Sequence, residues 1–184
     1  GVRRYHLEKM NFYRYETDAV YVFVMPDSRT YTEQLTDSLI IEHVKAFKFP
    51  GKWEYRMLWK SSQIAPILKR HKPDIIEVGS PYILPTVVRK NAKKIVPRAK
   101  LLGFWHADFP ITYVERPIAE KFGKKLGKLA SQVAFAYARY EFKGFTGIQV
   151  SAEETRLRLK RKGLPAHHQV PLGCDISMFS PTKR

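Results

Sequence analysis

The chain has very little cysteine. Cys174 is the only one in 184 residues, so no internal disulfide can form, which fits a reducing compartment. Acidic residues are also scarce: 17 Asp+Glu stand against 33 Lys+Arg, a net charge of +16. No apolar run approaches the length of a membrane-spanning helix, and the first residues show no signal-peptide pattern. The expectation is a cytoplasmic protein, free or peripheral on the inner face of a membrane. There is no HExxH and no cysteine pair, and the six histidines are scattered apart from His167-His168, so no metal is expected. The chain has no GxSxG elbow, which argues against a serine hydrolase, and no GxGxxG or Walker pattern.

What is present describes a folded globule. Hydrophobic residues make up 44% and aromatic residues 13%, well above a disordered composition. The charge excess favours anionic partners such as nucleic acid, anionic lipid or phosphorylated ligands, and it also serves plain solubility. Strand and helix signals alternate without internal repeats. A helix is expected over 1–15 and a strand over 19–25, the latter rich in β-branched and aromatic residues and closed by Pro26-Asp27. Extended pieces follow between 28 and 49, the best being 39–41 and 44–47. Apolar residues at helical spacing predict a helix over 55–71, stopped by Pro73. Strands over 74–78, 100–105, 147–150 and 169–172 alternate with helices over 81–94, 117–142 and 151–162. Ser151 and Glu154 read as a capping box for the last helix, and Gly163 as its left-handed stop. The order predicts parallel βαβ units and a Rossmann-like α/β sheet flanked by helices. Residues 1–172 form this domain and 173–184 a linker. The chain opens on a helix that ought to follow a strand, so a first strand is expected to be missing.

Four constellations carry chemistry. The apolar run 101–105 ends in His106 and Asp108. Such a run reads as a strand buried on both faces, and the ends of such strands are where open α/β sheets place ligands. An imidazole there can donate to a sugar hydroxyl, and a carboxylate can orient or deprotonate an acceptor hydroxyl. The plain alternative is a capped strand end. Glu77-Val78-Gly79-Ser80-Pro81-Tyr82 is a second strand-to-helix junction, where Ser80 would either cap a helix or bind a hydroxyl. Gly1 with Arg3 and Arg4 at the start of a helix could hold a phosphate against free N–H groups. Three basic clusters, at 89–100, 121–128 and 156–162, either are solvated helix faces or dock an anionic membrane at about 1 kcal/mol per residue.

The ordered motifs resemble a known family. Val150-Ser151-Ala152-Glu153-Glu154-Thr155-Arg156 followed by Gly173-Cys174-Asp175-Ile176-Ser177-Met178-Phe179-Ser180-Pro181 is similar to the end of the N-terminal domain of a GT-B, group 1 (family 4) retaining glycosyltransferase. Cys174 departs from that family's usual valine or isoleucine. Phe104-Trp105-His106-Ala107-Asp108-Phe109-Pro110 and Lys72-Pro73-Asp74-Ile75-Ile76-Glu77 resemble two further family segments. The resemblance implies one half of a GT-B fold, the acceptor-side domain, partnered by a C-terminal donor-binding domain. It implies a nucleotide-diphosphate sugar as donor substrate, no cofactor, and a lipid or glycan acceptor. His106 and Asp108 would be catalytic. Gly1, Arg3 and Arg4 would bind the donor diphosphate, and Ser80, Tyr82, Phe109 and Tyr113 the acceptor. This portion alone would be inactive. The alternatives are a basic Rossmann-like nucleic-acid-binding module and a non-catalytic adaptor for anionic membranes; no RRM, KH or helix-turn-helix signature supports the first.

Overall fold

The computed structural model describes residues 2–16, 18–48, 56–166 and 168–172. Helix α1 (Val2–Glu16) precedes strand β1 (Tyr21–Asp27), the hairpin strands β2 (Tyr31–Thr36) and β3 (Leu39–Lys45), and the short β4 (Phe47–Lys48) and β5 (Arg56–Met57). Then come α2 (Ser61–His71), β6 (Ile75–Val78), α3 (Leu84–Ile95) and β7 (Lys100–Trp105). A π-helical turn (Pro110–Glu115) runs into α4 (Arg116–Phe122) and α5 (Lys124–Glu141), followed by β8 (Gly147–Val150), α6 (Glu153–Arg161) and β9 (His168–Gln169).

The architecture is mixed α/β and Rossmann-like. Strands β6-β7-β8-β9 form an all-parallel sheet, joined by α3, by α4 with α5, and by α6. Helix on strand is what buries both faces of such a sheet. Accordingly β7 and β8 are almost wholly buried, and Phe135, Phe142, Ile148, Val150 and Leu159 fill the core around them. A second sheet has the order β1-β3-β2. There β1 pairs parallel with β3, but β2 pairs antiparallel, which corrects the expectation of parallel units throughout. The reason is local: β2 and β3 are joined by the two-residue turn Asp37-Ser38, and a hairpin that short reverses the chain.

Several expected boundaries move. The helix placed over 55–71 begins at Ser61, because Arg56 and Met57 pair with β4. Residues 49–55 lie outside the described residues. The long helix over 117–142 starts earlier, at Pro110, and breaks at Gly123, whose φ of 91° suits glycine. The capping box at Ser151 and Glu154 does not form. Ala152 is the N-cap and makes no side-chain cap, while Glu153 and Glu154 bond to Arg156 and Arg158 one turn on. Gly163 does stop the helix, at φ 75°, and Leu164 folds back with its N–H donating to the Leu159 carbonyl at 3.0 Å. The last strand is shorter than expected and ends at Gln169. Residues 173–184, the expected linker, lie outside the described residues.

Gly103 sits mid-strand in β7 because a side chain has no room there. A Cβ would lie 2.6 Å from Cε1 of Phe142 and 3.2 Å from Cγ1 of Ile148. Both neighbours are fully buried, so neither can yield. Gly103→Ala should therefore lose about 1–3 kcal/mol through overpacking, read as a lower urea midpoint with an unchanged slope.

Candidate functional site

β7 delivers His106 to the carboxyl end of the parallel sheet, beside the strand-end residue Gly79 of the neighbouring strand. The ring stands at the surface with one side against the protein. That partial burial lowers its pKa below the ordinary 6.5, while hydrogen bonds to the carbonyls of Phe104 and Gly79 pull the other way. The ring is accordingly neutral at pH 7. A neutral imidazole carries one N–H, which donates to one of these two carbonyls, and the ring lies 5.8 Å from the Phe104 ring.

A polar cluster under α1 adjoins it. Lys9 Nζ donates to Glu77 Oε2 at 2.6 Å, and Tyr5 lies 3.5 Å from the same ammonium while stacking on Phe104 at 4.5 Å. His6 Nδ1 and the Tyr21 hydroxyl are 3.1 Å apart, and His6 stacks on Phe23. Burial depresses the His6 pKa, with Lys9 and His106 adding to the effect and Glu77 opposing it. Burial works against a charged Lys9, but the Glu77 carboxylate and Tyr5 outweigh it and hold the ammonium above its usual range. Glu77 Oε1 is buried and has no hydrogen-bond partner among the described residues. A buried acceptor without a donor is costly and suits a hydroxyl brought by a ligand.

Asp108 points elsewhere. Arg158 Nη1, from α6, donates to its Oδ2 at 2.6 Å. Oδ1 is buried and has no partner among the described residues. Burial raises the Asp108 pKa; Arg158 counters this, and Glu115 and Glu154 reinforce it. His106 neighbours α1 and β6, whereas Asp108 neighbours α6 and the π-helical turn, so the two do not bond to each other. The basic cluster at 156–162 is also partly neutralised, since Arg156 and Arg158 are engaged by Glu153, Glu154 and Asp108.

The other expected site residues fall into place unevenly. Ser80 lies upstream of the N-cap of α3, which is Ile83, so it does not cap that helix. Tyr82 and Tyr113 are exposed. Tyr82 lies 5.6 Å from the Phe109 ring, and burial followed by the Tyr113 phenol raises its pKa. Phe109 itself is buried in the core against Trp105, so it supports Tyr82 from behind. Arg3 and Arg4 lie in the first turn of α1; their side chains, and Gly1, lie outside the described residues. Sequence reading gave Lys9 no role, placed Glu77 only at a strand-to-helix junction and counted Arg158 only in a basic cluster. The one signal for Glu77 was an acidic residue inside an otherwise apolar strand.

Among the described residues, no group of three or more His, Cys, Asp or Glu side chains could hold a metal ion. No protein-family model matches the chain, and no curated protein matches it.

Proposed function

We propose that this chain is the acceptor-side domain of a retaining, GT-B type glycosyltransferase, acting with a donor-binding domain on a nucleotide-diphosphate sugar and a lipid or glycan acceptor. The observation that carries it is the oriented, neutral His106 at the carboxyl end of the central parallel strand. Rossmann-like sheets bind ligands at that end. The unpartnered buried acceptors Glu77 Oε1 and Asp108 Oδ1 add to it, because a sugar supplies hydroxyl donors in number.

In this reading the bond between the anomeric carbon and the diphosphate oxygen breaks as the acceptor hydroxyl oxygen bonds to the same carbon, on the same face. The acceptor proton passes to the departing diphosphate. His106 contacts the donor sugar beside the carbon that develops positive charge, where a neutral ring adds no repulsion. Asp108, held by Arg158, orients the acceptor. Arg3 and Arg4, at the start of α1, are the residues this reading assigns to the diphosphate. This reading assigns the acceptor contacts to Ser80 and to the exposed Tyr82 and Tyr113.

The test is direct. The full-length protein is incubated with a panel of nucleotide-diphosphate sugars and with lipid and glycan acceptors. Transfer with retained anomeric configuration is the expected result. No transfer across the panel, together with nucleic-acid binding that weakens steeply with salt, would replace this reading with the nucleic-acid one.

A further inference from the structure

Tyr82 follows β6 and Tyr113 follows β7, so both lie off the carboxyl ends of parallel strands. Tyr137, on α5, joins them, and all three are exposed. Tyr82 stands between the other two: it acts electrostatically on Tyr137, and Tyr113 acts on it. The π-helical turn that carries Tyr113 packs along α5, which brings Tyr113 and Tyr137 to one wall. Such turns are rare and often lie at functional sites. Phe109 closes the group from behind, 5.6 Å from the Tyr82 ring, with Trp105 behind it in turn.

Glu141 holds Tyr137 in this group. It ends α5, is only 3% exposed, and accepts from the Thr86 N–H at 3.1 Å and from the Tyr137 phenol. Thr86 lies in the first turn of α3, where backbone N–H groups have no acceptor within the helix. A carboxylate is costly to bury unless such donors meet it. The two bonds tie the end of α5 to the start of α3, four residues past Tyr82, and they fix the direction of the Tyr137 side chain. Burial first, then Glu141, then Tyr82 push that phenol up to about 12, so it remains a donor at neutral pH.

A phenol offers a flat apolar face and a hydroxyl at its edge. A pyranose ring is complementary, with an apolar C–H face and a rim of hydroxyls. A hydrocarbon tail would use the ring faces alone. A nucleobase also stacks on tyrosine, but its phosphates would meet carboxylates. Glu141 acts on Tyr137, and Glu115 and Glu154 act on Asp108, whose counter-ion is Arg158.

We propose that Tyr82, Tyr113 and Tyr137 form a stacking face for a neutral sugar ring, with Glu141 as the positioning residue that holds Tyr137 in it. The acceptor then presents a sugar ring, as a glycan does, rather than a bare lipid. Calling that ring the acceptor rests on the proposed transferase function; sugar binding by the face does not.

The experiment is saturation-transfer NMR of the full-length protein with methyl glycosides and disaccharides of glucose, galactose, mannose and N-acetylglucosamine. Hexanol and an oligothymidylate represent the competing chemistries. At least one sugar should bind, its ring C–H protons receiving the strongest saturation. Tyr82→Ala and Tyr137→Ala should each weaken that sugar about tenfold, the weight of one stacked ring. Tyr137→Phe keeps the ring but loses the tether to Glu141, and it should weaken binding several-fold. Glu141→Ala should do likewise, and the pair together should lose less than the product of their separate effects, because both break one bond. Glu141→Gln, which keeps a hydrogen-bonding side chain there, should restore most of the affinity. Urea midpoints check that each variant is folded, and Tyr137→Phe carries the test of the tether if Glu141→Ala does not fold. Three results would overturn the stacking face: no sugar binding; binding that ignores both tyrosine-to-alanine variants; or tighter binding of hexanol or oligothymidylate at the same tyrosines. Fully independent losses for Tyr137→Phe and Glu141→Ala would overturn the role of Glu141. Sugar binding with the expected losses but no transfer upholds the face and sinks the transferase; transfer to a bare lipid without sugar binding does the reverse.

Discussion

Replacing Glu42 with alanine should destabilise the protein by about 1–3 kcal/mol, the usual loss when enclosed donors are left without their acceptor. Glu42 lies mid-strand in β3 and is only 3% exposed. Its carboxylate accepts from His71 at 2.6 Å, Arg70 at 2.8 Å and Thr32 at 2.9 Å. Those bonds tie α2 and β2 to the same strand. The alanine variant strips the acceptor from His71, which is largely enclosed, and releases α2 from β3. Burial acts to raise the Glu42 pKa, yet the bonds from His71, Thr32 and Arg70 together hold it below the usual 4.5. The unfolded chain therefore binds the proton more tightly than the folded one. This stabilisation is complete above the unfolded pKa and disappears as pH falls through the folded value. Urea midpoints of the wild type should drop below about pH 4.5, and those of Glu42→Ala should drop less over the same window. Equal slopes for the two proteins in that window would refute the linkage.

That cluster also shows where sequence reading stops. Arg70 and His71 look like cations placed at a helix carboxyl end, and that end does close at Lys72 with φ 44°. Their main partner, however, is a strand carboxylate nearly thirty residues earlier. Periodicity reports which face of an element is apolar; it does not report which element lies opposite. The central strand 100–105 and the helices around it were legible because burial on both faces leaves an unbroken apolar run. β2 was less so, since Tyr31–Thr36 is a largely exposed edge strand with little alternation to read. The capping box failed because Glu153 and Glu154 had arginines one turn away, and a carboxylate bonded to a guanidinium is lost to the cap. At the candidate site, the placement of His106 followed from the end of the apolar run. Its separation from Asp108 did not, because the chain turns between them, the Phe109 N–H donating to the Ala107 carbonyl. The pairings of Lys9 with Glu77 and of Arg158 with Asp108 span 68 and 50 positions and leave no local trace.

The largest kinetic effect is expected from His106→Ala. On the proposed function, it should lower kcat for sugar transfer by the full-length protein about 10²–10⁴-fold, the range for losing one positioned group at the reacting centre. Folding is checked separately by circular dichroism and the urea midpoint, because the ring bonds to the backbone and packs on Phe104. The same ring predicts a pH limb. Partial burial keeps its pKa below 6.5 despite the neighbouring carbonyls, so the neutral form predominates at pH 7 and is lost on acidification. The wild-type rate should fall on the acid side, below that value, and the alanine variant should lack the limb. Asp108→Ala gives the complementary pattern. It frees Arg158 and removes an acceptor whose second oxygen has no partner among the described residues, so it should raise KM for the acceptor more than it lowers kcat. A His106→Ala enzyme turning over within twofold of wild type would remove the imidazole from the reaction. The acid limb separates an imidazole that acts at the reacting centre from one that merely shapes the strand end, because a shaping role would leave the limb in place in the alanine variant.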